Sequence, residues 1–215
     1  MRVRIKLCGM TNLPDALEAE RLGADAIGLI FAPASKRRVT PEQARTLSSG
    51  LGPGVARVGV FVDAPLDEVL RVADRARLSA LQLHGREDET YLLEAARHYP
   101  VIRALRLRSL ENLPQANGAY TLLLDGVNPG SGHALDWATL EARLRAHPLP
   151  PGWMLAGGLS PENAGEAVRR FVPLGLGWLD AVTQLEARPG VKDPERMRRF
   201  VREVEQSSAR SNAST

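Results

Sequence analysis

Arg4-Ile5-Lys6-Leu7-Cys8-Gly9-Met10-Thr11 decides how this 215-residue chain is read. Val3, Ile5 and Leu7 alternate with cations as a strand does, and the run stops at Cys8, the one cysteine in the protein. Gly9 follows at once, and then a helix start at Thr11 or Asn12, with Pro14 near the first turn. A reactive side chain at the carboxyl end of a first strand is how a parallel α/β barrel presents its chemistry. A lone cysteine by itself is more often a small buried hydrophobe. The functional reading of Cys8 therefore depends on whether the later strands end in the same manner.

They do. Working outward, strand-like runs fall at 25–31, 55–63, 79–83, 101–107, 120–125, 153–156 and near 175–181. The run 25–31 is nearly continuous in apolar residues, as a strand covered on both faces should be. Helical stretches alternate with these runs: 41–49, 65–75, 87–97, a poorly marked one around 109–115, and 136–147. A helix opened by Ser160 and Pro161 and a last one from Asp193-Pro194 to about Val204 complete the series. Eight strands alternating with helices imply a parallel sheet. In this length they imply an α/β fold of one domain, a closed (β/α)8 TIM barrel over residues 1–206. The tail 207–215, rich in Ser, Ala and Asn, is expected to be flexible. A doubly wound open sheet is the alternative, but the glycine-rich turn it needs after the first strand is missing.

Composition narrows the class. Hydrophobic residues make up 44% and charged residues 25%, an ordinary soluble balance. No run of 18 apolar residues is present, so no membrane span is expected. The amino terminus reads as a strand and not as a secretory signal, and one cysteine forms no internal disulfide, which together suit a cytoplasmic protein. The pI is about 9.4 although the formal charge is only +3. Lysine occurs only at 6, 36 and 192, and the arginines are spread beside glutamates along helix faces, a solvated surface and not a nucleic-acid footprint. The outer helices suit a monomer or a homodimer equally.

The barrel reading demands polar or glycine residues at the carboxyl ends of the strands. Cys8, Arg37, His84, Asp125, Gly157-Gly158 and Asp180 all lie at or just past such ends. In a closed ring of eight, strands 1 and 6 sit nearly across from each other. Cys8 and Asp125 are thus placed to flank one small substrate as general base and general acid.

At these residues the chain resembles the phosphoribosylanthranilate isomerases of tryptophan biosynthesis. The resemblance spans about residues 3–205. It is carried by Lys-Leu-Cys-Gly-Met-Thr at 6–11, Gly-Ala-Asp-Ala-Ile-Gly at 23–28, Phe31-Ala32-Pro33 with Ser35, Arg37 and Val39, and Val58-Gly59-Val60-Phe61-Val62. Leu81-Gln82-Leu83-His84-Gly85, Leu124-Asp125, Gly130-Ser131-Gly132 with Asp136-Trp137, Leu-Ala-Gly-Gly-Leu at 155–159, Pro161-Glu162-Asn163 and Pro-Gly-Val-Lys-Asp at 189–193 continue it.

The resemblance implies an Amadori rearrangement of N-(5-phosphoribosyl)anthranilate to the matching 1-amino-1-deoxyribulose phosphate, with no metal or organic cofactor. It implies Asp125 as the acid that protonates the ring oxygen and Cys8, as thiolate, as the base at C2. Arg37 would hold the anthranilate carboxylate. His84 would line the site, and Asp180 would contact substrate. Asp136 is read as a helix cap. The phosphate is expected between the seventh and eighth βα loops, at Gly157, Gly158, Thr183 and Gln184. A small-molecule phosphosugar is the only partner implied.

The chain departs from the family pattern in the eighth loop. Where Asp-Val-Ser-Ser-Gly-Val-Glu is expected, residues 180–186 are Asp-Ala-Val-Thr-Gln-Leu-Glu, so Val182 and Gln184 replace a hydroxyl and a glycine. His133 stands where the family usually has lysine, and Lys36 and Arg38 also differ. These departures motivate a second reading, a barrel that binds a phosphosugar or a partner without turnover. An isomerase for a related aminoaldose phosphate would want an aspartate in place of Cys8.

Overall fold

A computed structural model describes residues 2–106, 118–126 and 137–213. Its strands are β1 (Arg4–Cys8), β2 (Ala26–Ile30), β3 (Ala56–Phe61), β4 (Ala80–Leu83), β5 (Val101–Arg106), β6 (Thr121–Asp125), β7 (Trp153–Ala156) and β8 (Leu176–Ala181). They close into a parallel barrel in sequence order, with β8 paired back onto β1. The helices are α1 (Leu13–Arg21), α2 (Pro41–Gly50), α3 (Leu66–Ala76), α4 (Glu89–Ala96), α5 (Trp137–Ala146), α6 (Ala164–Phe171) and α7 (Pro194–Ala213). The helix expected at 109–115, the strand end at Leu107 and the glycine-rich loop from 127 onward, with His133 and Asp136, lie outside the described residues. No described helix is long and apolar enough to cross a membrane.

The elements form where local chemistry demands. Asn12 caps α1 by accepting from the Asp15 amide at 2.9 Å, and Thr40 and Gln43 form a reciprocal box at the start of α2. Residues with even parity on β1 point into the barrel, while Ile5 and Leu7 pack outward under the helices, both fully buried. Inside, Trp178, Met154, Leu123, Ile102 and Ala104 form the apolar plug of the lower barrel. Above it the filling turns polar. Lys6 and Asp180, opposite each other in the β1–β8 register, make an ion pair of 2.9 Å with side chains 0% and 3% exposed.

Two features differ from the sequence-based expectation. α7 runs from Pro194 through Ala213, past position 206, where the sequence places the end of the barrel domain. Ser207 and Ser208 are buried, because small hydroxyl side chains let α7 close on the barrel. Ser208 accepts from the Val3 amide at 3.4 Å and donates to the Val204 carbonyl at 2.7 Å, and Ser207 sits over Gly165 of α6. Their small polar side chains make a tight contact here. The second feature is a short antiparallel hairpin, β9 (Glu186–Arg188) and β10 (Val191–Lys192), inside what read as a loop. It is tied to α1, because the Lys192 amide donates to Asp15 at 2.8 Å and the Thr11 hydroxyl donates to the Gly190 carbonyl.

Candidate active site

The carboxyl ends of the strands surround a cavity of about 430 Å³. Cys8, His84, Asp125, Gly157, Gly158, Asp180, Thr183 and Gln184 line it, together with Gln82, which the spacing argument did not single out. Arg37 is not among its lining residues.

Cys8 is buried, and its space is made by the neighbouring strand. Gly28 stands beside it in the β1–β2 register, and a Cβ there would come within 2.3 Å of the sulfur. Gly28 is therefore the condition for a thiol at this point. Gly9 takes φ +79° and turns the chain away immediately after the sulfur. Burial pushes the Cys8 thiol above its ordinary value. Lys6 opposes this from below, Asp180 adds to it, and Lys192 opposes it again. Burial by itself would lower Lys6, but the adjacent Asp180 and Cys8 outweigh it and hold the ammonium firmly charged. The thiol thus sits beside a buried cation, with the charge that an ionised sulfur needs already in place.

Asp125 ends β6, and its Oδ2 lies 3.3 Å from His84 Nε2 without the alignment of a hydrogen bond. His84 is held by a locked turn. Its amide donates to the Phe61 carbonyl at 3.0 Å, and Glu87 accepts from the amides of both Asp63 and Gly85. Asp63, at φ +50°, accepts from the Arg86 amide at 2.7 Å and closes that turn. Among the described residues, three buried side-chain atoms on the lining of this cavity have no hydrogen-bond partner, namely Gln82 Oε1, His84 Nε2 and Asp180 Oδ1. Buried polar groups are ordinarily paired, so such a cluster marks where a ligand supplies the missing bonds.

Arg37 lies alongside, its stem packed over Gly9. Its Nε and one terminal nitrogen both bond Glu186, each at 2.7 Å. Lys192 also reaches Glu186 at 3.3 Å, and both side chains of that second pair are buried. Burial alone would raise Glu186, but Arg37 and Lys192 outweigh it and hold the carboxyl below its usual range. The Arg37 fork is therefore already engaged by an internal carboxylate, with one terminal nitrogen left over. Sequence reasoning missed Glu186 because its partner is 149 positions away. It missed Gln82 although the inward period of β4, Gln82 then His84, points to it.

Gly157 and Gly158 take φ +94° and +67°, conformations that only glycine adopts without strain. The eighth loop forms a single 3-10 turn at Thr183–Leu185, which the carbonyl of Val182 joins to Lys192 at 3.1 Å and that of Gln184 to Arg196 at 2.5 Å. Neither Val182 nor Gln184 has a positive φ, so the path of this loop does not require the glycine that the family pattern places at 184. Thr183 and Gln184 are exposed at the rim.

Residues 5–203 match the family model described as N-(5'phosphoribosyl)anthranilate (PRA) isomerase. The chain belongs to the phosphoribosylanthranilate isomerase family. The family member from Deinococcus radiodurans is 49% identical over 212 residues, covering 96% of this chain and 98% of that protein. The crystal structure of the Thermus thermophilus isomerase is 41% identical and superposes with a TM-score of 0.80 over 95% of this chain and 99% of that one. A further isomerase structure, solved in complex with reduced 1-(o-carboxyphenylamino)-1-deoxyribulose 5-phosphate, is 34% identical with a TM-score of 0.81 and the same coverage. The phosphoribosylanthranilate isomerase activity, in tryptophan biosynthesis, is accordingly the activity of this chain. The reading of a barrel that has lost turnover is not favoured.

Proposed function

We propose that Cys8 and Asp125 carry out the two proton transfers of this isomerisation, with Asp125 as general acid and Cys8 as general base. Asp125, protonated, gives its proton to the furanose ring oxygen of N-(5-phosphoribosyl)anthranilate. The C1–O bond breaks, and the anthranilate nitrogen forms a Schiff base to C1. The Cys8 thiolate takes the proton from C2, and the electron pair moves into a C1–C2 double bond, giving the enolamine. Its collapse places the carbonyl at C2 and a proton at C1. The observation that carries this reading is the presence of both side chains on one small cavity, on strands β1 and β6.

Lys6 compensates the charge that appears on sulfur, and His84 keeps the Asp125 carboxyl turned inward. The phosphate rests on the backbone of Gly157 and Gly158, where the lack of glycine side chains lets an anion approach the chain closely, and on the Thr183–Gln184 turn. Arg37 meets the anthranilate carboxylate through the nitrogen that Glu186 leaves over. Asp180 receives a sugar hydroxyl on its unpartnered Oδ1.

Purified Cys8→Ala and Asp125→Asn test the assignment. Each is expected to lose about 10³-fold in kcat with an unchanged melting profile. Each should also fail to restore tryptophan-independent growth to a cell lacking this isomerase. Rates near wild type in both variants would remove the mechanism.

A further inference from the structure

Gln82 takes no part in the proton transfers, yet its place is costly. It faces inward from β4, one residue pair below His84, with 2% of its surface exposed. Its register partners, Val60 on β3 and Ile102 on β5, are apolar. Its Oε1 is buried without a hydrogen-bond partner, although it lines the cavity. A leucine or methionine of similar volume would fill the same position and leave nothing unpaired. An unpartnered buried acceptor destabilises the free protein, and the cost is recovered only when something donates to it.

The topology says what it faces. β4 and β8 are four places apart in a ring of eight, so Gln82 lies across the barrel from Asp180. Asp180 likewise presents an unpartnered buried acceptor, Oδ1, to the cavity. Two acceptors on opposing walls match a ligand that presents hydroxyls towards both, as a sugar does.

We infer that Gln82 is a substrate-binding residue whose side-chain carbonyl accepts a hydrogen bond from a hydroxyl of the phosphosugar, opposite Asp180. This rests on the isomerase reading of the cavity. It makes Gln82 a determinant of specificity for a hydroxylated sugar, because an analogue lacking that hydroxyl leaves the buried acceptor empty.

Gln82→Leu and Gln82→Met test it in the full-length protein, by kcat/KM, by thermal melting and by affinity for inorganic phosphate. Both variants remove an unpaired buried polar group, so their Tm is expected to hold or to rise by about 2–4 °C. At the same time kcat/KM is expected to fall about 10- to 100-fold, with phosphate affinity unchanged because that site lies on other loops. A kcat/KM within threefold of wild type in both variants overturns the inference. So does a fall in Tm in both, which would mean that Gln82 supports the fold and not the ligand. If wild-type protein fails to turn over the substrate, it is the isomerase reading that falls. The role of Gln82 is then decided by whether the variants lose affinity for the reduced product analogue.

Discussion

The two mouths of the barrel hold cavities of similar size and opposite character. At the amino ends of the strands lies one of about 390 Å³, lined by Arg4, Tyr120, Trp153 and Trp178 among others. There the polar groups are used internally. Trp153 Nε1 donates to the Leu174 carbonyl at 3.0 Å, and the Tyr120 hydroxyl donates to Glu89 at 3.0 Å. Arg4 spreads over the Trp178 ring at 5.2 Å. None of that cavity's lining residues carries a buried side-chain atom without a partner. The carboxyl-end cavity keeps three such atoms and two left-handed glycines on its wall. Volume therefore does not distinguish a site from a crevice in this fold; unpaired chemistry does.

The contrast is open to direct attack, and the largest effect is expected at Lys6. Lys6→Met leaves Asp180 buried and alone, at a cost of about 3–5 kcal/mol in denaturant unfolding. It also removes the cation that restrains the thiol, so the Cys8 pKa should climb further. Because the productive form pairs an ionised thiol with a protonated acid, the alkaline decline of kcat/KM marks the thiol when the thiol is the weaker acid. In wild type that decline is expected above the ordinary thiol value of about 8.5, because burial raises Cys8. In Lys6→Met it should move higher still and the plateau should drop. A decline that stays in place would show that Lys6 does not act on the sulfur.

Glu186→Gln comes next. It frees the Arg37 fork from a pair whose side chains are 18% and 3% exposed. KM for the substrate is expected to rise about 10-fold with kcat little changed, and stability to fall by about 2–3 kcal/mol. The sign with pH follows from the depressed carboxyl. Its contribution is complete above the ordinary glutamate value of about 4.3 and disappears as pH falls through the lower folded value. Acid titration of Tm in wild type and Glu186→Gln checks this, and the two curves should converge at the acid end.

The smallest effect on activity is expected at the other mouth. Trp178→Phe should cost about 1–2 kcal/mol of stability and leave kcat/KM within about twofold. A larger kinetic loss would break the division of labour between the two ends.

Much of this arrangement is legible in the chain because barrel strands repeat one signal. Each apolar run that ends in a polar or glycine residue announces both a strand and a wall of the site, and Cys8, His84, Asp125, Gly157 and Asp180 follow that rule. What escapes the rule is contact over distance. Arg37 reads as the holder of a substrate carboxylate and Glu186 as a retained acid, and only folding through α1 and the β9–β10 hairpin makes them a pair. Gln82 was hidden by its neighbour, since a glutamine in a short strand looks like an edge residue until the register places it inward. Ser207 and Ser208 misled through composition, because small polar side chains serve close packing and solvation alike.

The central claim is that one thiol and one carboxyl address the same sugar from different strands. A crystal structure of this protein with the reduced product analogue tests it most directly. Cys8 Sγ and an Asp125 carboxyl oxygen are each expected to lie about 3–3.5 Å from the sugar portion of the ligand, on different sides of it. A ligand that reaches only one of the two, or that binds outside the carboxyl-end cavity, would contradict it.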